Sequence, residues 1–258
     1  MSEGGALYAP ERRRHIAERV RAAGRVEAAA LAHELAVTPE TIRKDLVALE
    51  RDGLLERVHG GAIARHRRPL EPALVDRTDQ AAEKDRIARA AVEQLGAARS
   101  LFVEAGTTTE RVAALLPDDR ELVVVTNTPA LAVALADRPA ITLLAVGGRI
   151  RARTLAAVDD WALSALRGLH VDVALLGTNG LSVTGGLTTP DPAEAAVKRL
   201  ALGVGERTLL LADRTKVGRA SLCRYGELTD ADLLITDDGL ATDARAELAA
   251  AGLDVLAV

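Results

Sequence analysis

Glycine and hydroxyl side chains cluster after apolar segments in the second half of this 258-residue chain. In the segment from Glu104 to Thr109, backbone N–H groups, three threonine hydroxyls and the positive end of a following helix converge on one point. The segment from Thr126 to Thr128 repeats this arrangement one unit later. Gly147, Gly148 and Arg149 combine close backbone approach with a guanidinium. These groups are the ones that hold phosphate, so their spacing predicts an anion-binding site.

Further small-residue segments follow the later apolar segments. They are Gly177 to Gly180, Gly185 to Thr189, and Asp213 with Thr215 and Lys216. Each one alone is typical of a turn. Several of them at one edge of a sheet, however, predict a polar pocket for a phosphorylated small molecule.

The elements that would position these groups alternate between short strands and helices. This alternation predicts an α/β domain, residues 81–258, with a parallel sheet covered on both faces and ligands at the carboxyl ends of its strands. A proline-containing linker, residues 66–80, would precede it. The predicted strands are Leu101–Glu104, Leu122–Val125, Ile141–Val146, Val171–Leu176, Thr208–Ala212 and Asp232–Thr236. The predicted helices are Ala81–Leu95, Thr108–Leu116, Pro129–Ala136, Asp159–Leu166 and Pro192–Val204.

A second set of polar residues lies near the amino terminus, at the front of a predicted helix. The segment Thr38 to Glu40 supplies an N-cap residue, a proline at the first helical position and an acidic first turn. Ile42, Leu46 and Leu49 recur at helical spacing and would face a core. In a helix-turn-helix the front of such a helix meets the bases of duplex DNA, and Arg43 is the candidate for reading a base. The predicted DNA-contacting residues on this helix are Thr38, Thr41, Arg43 and Lys44.

The surrounding sequence predicts two helices upstream and two strands downstream. They are Arg12–Ala23, Val26–Ala36, Leu54–His59 and Ala62–Arg65. Three helices followed by a small hairpin fit a winged helix-turn-helix domain, residues 8–65. Arg57 and His59, on the hairpin, would then contact DNA phosphate.

Composition narrows the range of partners. The net charge is −4, but residues 1–69 hold 13 Lys or Arg against 10 Asp or Glu, which leaves 20 against 27 for the remainder. The amino-terminal part is therefore the cationic one, as binding to duplex DNA requires. Aromatic residues make up only 2% of the chain, too few to stack unpaired bases, which argues against a single-stranded nucleic acid.

The sequence also indicates in which cellular compartment the protein is expected. A single cysteine, Cys223, excludes an internal disulfide. The sequence contains neither a recognisable signal peptide nor an apolar run of the roughly 20 residues that span a bilayer, so we expect a cytoplasmic protein with no membrane partner. No metal and no cofactor are expected, because the histidines considered lack partners at metal-ligand spacing. They are His15, His33, His66 and His170.

Some polar residues also have a simpler, structural interpretation. Glu194 and Lys198 stand four apart on a helix, which is typical of an exposed ion pair, although Lys198 could instead reach a ligand. Asp213 and Lys216 could be a pair that fixes a loop. The other structural expectations are a helix cap at Asp159 and Asp160, a packed Trp161 and a buried Cys223.

These segments together resemble the DeoR-type family of bacterial transcriptional regulators from about Tyr8 to Asp237. The motifs that carry the resemblance are TPETIRKDLVALERDGLLERVHGGA, Ala-Gly-Thr-Thr-Thr, Val-Val-Thr-Asn, Gly-Gly-Arg-Ile-Arg, Leu-Gly-Thr-Asn-Gly, Glu194 with Lys198, the run from Asp213 to Gly218, and Ile-Thr-Asp ending at Asp237. The resemblance implies a winged helix-turn-helix that binds a double-stranded operator. It also implies a sensor domain, related to sugar-phosphate isomerases, that binds a phosphorylated sugar or a related metabolite.

The resemblance further implies which residues contact this effector. Gly106, Thr107, Thr108 and Thr109 are assigned to its phosphate. Glu104 stands where the family more often has Asp, one methylene shorter. The rest of the predicted pocket comprises Glu104, Thr126, Asn127, Gly148, Arg149, Lys198, Asp213 and Lys216.

Two functions compete at this point. One is a homodimeric or homotetrameric repressor of a sugar-catabolic operon that its effector releases from DNA. The other is a sugar-phosphate isomerase or deaminase with an appended DNA-binding module, which needs a carboxylate base beside the substrate carbons. The carboxylates available for that role are Glu104, Asp172, Glu194 and Asp213. None has a sequence context that singles it out, so the sequence favours a regulator without enzyme activity.

Overall fold

The computed structural model describes residues 8–51, 54–58, 60–64 and 79–258. The chain divides into two compact units, with the division at residue 70. The predicted linker, residues 66–80, lies outside the described residues except for Asp79 and Gln80, and the domain bounds 8–65 and 81–258 stay a prediction. Within the described ranges, no helix has the length and apolar character needed to cross a membrane.

The amino-terminal unit contains three helices and a three-stranded antiparallel sheet. Its elements are α1 (Ala9–Ala23), β1 (Arg25–Glu27), α2 (Ala28–Glu34), α3 (Pro39–Arg51), β2 (Leu55–Val58) and β3 (Gly61–Ala64). Strand β3 lies between β1 and β2. Ile42, Leu46 and Leu49 of α3 lie in one buried cluster with Ile16 of α1 and Leu31 of α2. The predicted helical periodicity, and with it the three-helix and hairpin architecture, is therefore confirmed.

The predicted helix Val26–Ala36 is wrong at its start. Val26 lies in β1, which pairs antiparallel with β3, and the helix begins only at Ala28. Gly61 permits this pairing, since a Cβ at that position would lie 2.1 Å from the backbone oxygen of Val26. A β-branched valine with a partner strand at hand favours the sheet over the helix, and that partner is distant in sequence.

The carboxyl-terminal unit is larger and mixes helices with strands. Its helices are α4 (Ala81–Glu93), α5 (Glu110–Ala113), α6 (Pro129–Leu135), α7 (Asp159–Leu166), α8 (Pro192–Ala201) and α9 (Thr242–Ala250). Its strands are β4 (Ser100–Val103), β5 (Leu122–Thr126), β6 (Ile141–Ala145), β7 (Arg149–Ile150), β8 (Ala157–Val158), β9 (Val171–Gly177), β10 (Gly180–Ser182), β11 (Gly186–Thr189), β12 (Gly205–Leu211), β13 (Cys223–Gly226), β14 (Leu233–Thr236) and β15 (Asp254–Ala257).

Seven of these strands form one parallel sheet in the order β15-β14-β12-β9-β4-β5-β6. Side chains alternate between its two faces, so that each face has its own core. In β4, Leu101 and Val103 belong to one buried cluster and Phe102 to the other. The predicted parallel sheet covered on both faces is thus confirmed. Two smaller antiparallel assemblies, β10-β11-β13 and the β7-β8 hairpin, accompany it.

Several predicted elements differ in extent. The predicted helix Thr108–Leu116 is reduced to the four residues of α5, and α8 ends at Ala201 rather than at Val204. The short strands β10, β11 and β13, and the edge strand β15, were not predicted. Strands β10, β11 and β13 are short and contain small or polar residues, and β15 lies at the edge of the parallel sheet. None of them has the long apolar run that marks the central strands.

Three side chains contradict their structural expectations. Trp161 is 81% exposed, because the buried side of α7 is formed by Ala162 and Leu166. Asp159 does not cap α7; its carboxylate accepts a hydrogen bond from Arg149 Nε at 2.6 Å. Cys223 is only half-buried.

Candidate functional site

The strand order of the parallel sheet marks one crevice. The chain proceeds from β4 through β5 to β6 on one side, whereas β9, β12, β14 and β15 lie on the other. The winding direction therefore reverses between β4 and β9, and open α/β sheets bind ligands outside the carboxyl ends of the strands at such a point. We call this position the β4/β9 crevice. The segments Glu104–Thr109, after β4, and Gly177–Gly180, after β9, form its two sides.

A buried ion pair lies at the base of the β4/β9 crevice. Lys198 Nζ, from α8, donates to Glu104 Oε2 at 2.7 Å and to the carbonyl oxygen of Gly177 at 2.8 Å. The same Glu104 oxygen accepts the N–H of Gly177 at 3.0 Å. The Lys198 ammonium also lies 5.4 Å from the centre of the Tyr225 ring, and the Tyr225 hydroxyl donates to Gly177 O. The pair thus ties α8 to the ends of both strands.

Burial and charge act against each other in this pair. Burial raises the pKa of the Glu104 carboxyl, and the opposing attraction of Lys198 does not fully offset it. For Lys198, burial is the largest single effect and acts to lower the pKa, but Glu104, Tyr225 and Glu194 together outweigh it and the pKa is raised. Burial also raises the pKa of Tyr225 to about 12. Lys198 is therefore protonated and Tyr225 neutral at physiological pH.

A second charged cluster involves Glu194 of the same helix, α8, and Asp191, which caps that helix. Arg151 Nε donates to Asp191 at 2.9 Å and its guanidinium contacts Glu194 Oε1 at 3.0 Å. Glu194 also accepts from the hydroxyls of Thr154 and Thr189. The expected exposed pair between Glu194 and Lys198 is therefore wrong: both side chains are buried and each has another partner.

The hydroxyl-rich segment after β4 adopts a turn before α5 begins. Thr109 is fully buried and its hydroxyl donates to Gly106 O at 3.0 Å, so this hydroxyl serves the turn itself. Thr107 is half-buried, and Thr108 is 8% exposed. Because α5 is only four residues long, its dipole is weaker than the predicted nine-residue helix would supply. The hydroxyls of Thr107 and Thr108 and the backbone N–H groups of the turn stay a prediction for anion binding.

The segment after β5 lies beside this turn. Val103 and Thr126 are register partners at the ends of β4 and β5, and Asn127 Oδ1 accepts the N–H of Ala105 at 2.9 Å. The Asn127 amide also donates to Ala157 O at 3.4 Å. Thr126 is fully buried and its hydroxyl donates to Val103 O at 2.8 Å. Both predicted residues thus join neighbouring strand ends.

Four further predicted pocket residues follow strands other than β4 and β9. Gly148 and Arg149 follow β6 and line a surface depression of about 400 Å³ that also includes Trp161. A Cβ at position 148 would lie 2.7 Å from Val158 O, so this glycine permits close packing of β8. Asp213 and Lys216 follow β12, two strands from β4; the nearest oxygen of Asp213 lies 4.0 Å from Lys216 Nζ, and Asp213 accepts the N–H of Thr215 at 3.0 Å.

Sequence reasoning missed three contributors to this region. Arg151 stands in the Gly-Gly-Arg-Ile-Arg motif, but its carboxylate partners are about 40 residues away. Tyr225 is one of only two tyrosines, which is the single sequence signal that it had. Thr128 was noted only as part of its segment. Within the described ranges, no group of His, Cys, Asp and Glu side chains is arranged to hold a metal ion.

The predicted DNA-contacting residues lie at the start of α3 and on β2. The Thr38 hydroxyl accepts the N–H of Thr41 at 3.2 Å, which confirms Thr38 as the residue that caps this helix. Arg43 and Lys44 are exposed, and the Arg43 guanidinium is 3.7 Å from Glu40. Arg57 is exposed on β2, where its N–H donates to Glu50 at 2.9 Å and its guanidinium lies 3.8 Å from the same carboxylate. His59 lies outside the described residues.

A winged helix-turn-helix unit and a parallel α/β unit with a polar crevice together define a two-domain DNA-binding transcriptional regulator. Residues 12–68 match the DeoR-like helix-turn-helix domain, and residues 79–238 match the DeoR C terminal sensor domain. The chain belongs to the DeoR family.

Several named relatives match this chain over nearly its full length. The chain is 39% identical to the HTH-type transcriptional regulator GlpR of Haloferax volcanii over 247 residues, which cover 95% of this chain and 96% of the relative. It is 32% identical to a putative aga operon transcriptional repressor of Escherichia coli O157:H7, with 96% and 93% covered. It is 31% identical to the glycerol-3-phosphate regulon repressor of Escherichia coli K12, with 88% and 90% covered. Among solved structures, ribose 5-phosphate isomerase A of Methanocaldococcus jannaschii is 13% identical, with a TM-score of 0.36 and coverage of 52% and 53%.

Proposed function

We propose that this protein represses an operon of carbohydrate metabolism and that a phosphorylated sugar or related metabolite, bound in the β4/β9 crevice, releases it from its operator. The observation that carries the proposal is the location of the Gly106–Thr109 turn. It lies at the carboxyl end of β4, where the winding direction of the sheet reverses. Relatives named as repressors of the aga operon and of the glycerol-3-phosphate regulon support a phosphorylated effector.

The residues of the crevice suit a neutral or anionic oxygen ligand. Thr107 and Thr108 supply hydroxyls, and neither makes a side-chain hydrogen bond described for this chain. Glu104 and Lys198 neutralise each other at the base of the crevice, so the effector phosphate meets no net negative charge there. Two of the three N–H donors of Lys198 are used by Glu104 and Gly177, and the ammonium also faces the Tyr225 ring, so we infer that Lys198 positions the crevice rather than contacting the phosphate.

Release from DNA requires that the effector favour one arrangement of the paired DNA-binding units over another, because a ligand shifts an equilibrium only by its differential affinity for the two states. We expect the protein to act as a homodimer or homotetramer in the cytoplasm. Its recognition helices α3 would then enter successive major grooves, with half-sites about one helical turn apart or a multiple of it.

Replacing both Thr107 and Thr108 with Val is expected to leave operator affinity unchanged and to abolish release by effector, because the phosphate loses both hydroxyl donors. The measurement is fluorescence anisotropy of a labelled promoter duplex against a panel of triose, pentose and hexose phosphates and glycerol 3-phosphate. Thr142→Val, at an exposed position of β6, is a matched control. A double variant that still leaves DNA at the wild-type effector concentration would contradict the pocket.

Arg43→Ala is expected to weaken operator binding by about 1 to 3 kcal/mol and to relax discrimination at one base pair, because Arg43 is exposed at the front of the recognition helix. Arg57→Ala should instead weaken all duplexes alike and reduce the salt slope by about one, as loss of a phosphate contact does. The measurement is anisotropy over single-base variants of the promoter site at several salt concentrations. Equal loss on every sequence for Arg43→Ala would remove it as the base-reading residue.

We also propose that the crevice has no isomerase or deaminase activity. The two crevice carboxylates are both engaged: Glu104 by Lys198, and Glu194 by Arg151. Asp172 lies near the start of β9, away from the crevice, and backbone N–H groups of Arg99 and Ser100 lower its pKa. A coupled aldose-ketose assay over the same phosphosugars should show no turnover above background. Turnover that Glu104→Gln removes would support the enzyme instead.

A further inference from the structure

The edge strand β6 leaves one row of its backbone groups without a strand partner. It ends the order of the parallel sheet, so among the described residues β5 is its one neighbouring strand. Ala140 O accepts the N–H of Leu122 of β5 at 2.9 Å, and alternate residues of a strand direct their backbone groups to opposite edges. The N–H and C=O groups of Leu143 and Ala145 therefore point away from β5, where a further strand could bind them.

The sequence of β6 lacks the features that usually protect such an edge. Natural edge strands carry charged residues, prolines or bulges that discourage pairing with another chain. The segment Ile141–Ala145 reads ITLLA, which has no charge and no proline, and its register with β5 shows no shift. At the opposite edge of the sheet, β15 begins with the exposed Asp254. Of the two edges, β6 is therefore the more open to pairing.

One face of β6 is also uncovered. Ile141 and Leu143 pack against the buried cluster that includes Leu131 and Leu135 of α6. Side chains alternate between the faces of a strand, and Leu144, on the opposite face, is 48% exposed. Parallel sheets ordinarily have both faces covered. A partner that extends the sheet at β6 would also shield Leu144.

Helix α6, which packs against β6, contains no polar side chain. Its sequence from Pro129 to Leu135 is PALAVAL. The two leucines face the core, whereas Pro129, Val133 and Ala134 are exposed, Val133 to 77%. A helix that is apolar all round is normally buried on all sides. We call the open edge of β6, Leu144 and the exposed residues of α6 the β6/α6 surface.

We propose that the β6/α6 surface joins two copies of this chain, with their β6 strands paired antiparallel across a twofold axis. The proposal rests on the proposed function in that it takes the protein to be a homo-oligomer. A twofold interface uses the same patch on both copies, so the patch must be complementary to itself. In an antiparallel pair each open edge supplies the donors and acceptors that the other edge needs. Neither β6 nor α6 carries a charged residue, so no like charges face each other.

The geometry of this surface favours a second copy as the partner. A regulator that reads two half-sites needs a twofold axis, and pairing across an axis perpendicular to the sheet places the Leu144 side chains of both copies on the same face. Strand pairing alone buries little surface, and the apolar side of α6 beside it supplies further contact area.

The first test is the mass of the full-length protein in solution, measured by light scattering and by sedimentation equilibrium over a range of concentrations. Leu144→Lys should raise the dissociation constant between the copies at least about 100-fold, because it places like charges in an apolar interface. The separated chain should keep its fold, since this position is half exposed. Two control variants should associate as the wild type does: Leu222→Lys, at an exposed leucine outside the surface, and Thr142→Val, which adds no charge to β6.

Ala145→Pro tests the backbone contact separately. Proline has no N–H, and an edge strand tolerates it where that N–H faces solvent, so the bonds between β6 and β5 remain. The circular dichroism spectrum should match that of the wild type, while the dissociation constant rises about 10-fold or more through loss of two symmetry-related hydrogen bonds. If both this variant and Leu144→Lys associate as the wild type does, the interface lies elsewhere and the proposal is wrong.

Hydrogen exchange of the wild-type protein tests the same surface without any substitution. A peptide that spans residues 140–147 should exchange slowly where the protein is associated and fast after dilution below the dissociation constant. Fast exchange at every concentration would contradict the proposal. Slow exchange in protein that light scattering shows to be monomeric would mean that another segment of the same chain covers β6, and would overturn the proposal too.

Failure of this proposal is distinguishable from failure of the proposed function. If the protein associates through another surface, binds its promoter and responds to effector, the role of β6 and α6 is wrong and the proposed function stands. If the wild type is monomeric at every concentration and does not prefer its promoter to random duplex, both are wrong.

Discussion

Lys198→Met is expected to lower the free energy of unfolding of the carboxyl-terminal unit by about 3 to 5 kcal/mol. The Lys198 and Glu104 side chains are only 6% and 4% exposed, and their closest atoms are 2.7 Å apart. Removal of the ammonium leaves the Glu104 carboxyl buried without its cation, while the neighbouring Gly177 carbonyl also loses a donor. The loss should appear in urea unfolding of the full chain followed by circular dichroism.

The control for this variant restores charge balance rather than the ion pair. In Glu104→Gln/Lys198→Met neither charge is buried, so we expect the double variant to recover most of the lost stability, because well-packed neutral residues often replace a buried pair at little cost. The double variant also tests the positioning role of Lys198: it should fold and still respond to effector. If Lys198→Met unfolds within about 1 kcal/mol of the wild type, the pair does not support the crevice.

Asp45→Ala is expected to destabilise the amino-terminal unit by about 2 to 3 kcal/mol and to weaken operator binding as a consequence. Asp45, on α3, is 2% exposed and accepts hydrogen bonds from Arg12 Nε at 2.6 Å and Arg13 Nε at 2.9 Å. It thereby joins the recognition helix to α1. We place the value below that for Lys198 because the Arg13 side chain is 42% exposed and water can solvate it.

The matched control is an exposed carboxylate with the same number of side-chain partners, one of which is an arginine. Glu34 pairs with His15 at 3.0 Å and Arg19 at 3.1 Å, but its side chain is 36% exposed. Glu34→Ala should therefore cost less than about 1 kcal/mol, as exposed pairs do. Thermal unfolding of the full chain and operator binding, measured on both variants, compare them directly. Equal losses would show that burial of Asp45 contributes nothing.

The sequence alone determined those features that depend on local chemistry. The start of α3 directly after the cap residue Thr38 and the burial of Ile42, Leu46 and Leu49 follow from capping and from helical periodicity, which act within a few residues. The parallel sheet followed from alternation of apolar strands with helices. The turn at Gly106 to Thr109 was placed at a strand end for the same reason.

Only the tertiary structure decided which distant groups meet. Lys198 pairs with Glu104, 94 residues away, rather than with Glu194 on its own helix. Val26 joins a strand because β3 lies beside it, and Trp161 is exposed because Ala162 and Leu166 take the buried side of α7. Such choices depend on packing between elements that are far apart in the chain. No local pattern records them, because spacing along one helix or strand specifies which face a residue occupies but not what that face contacts.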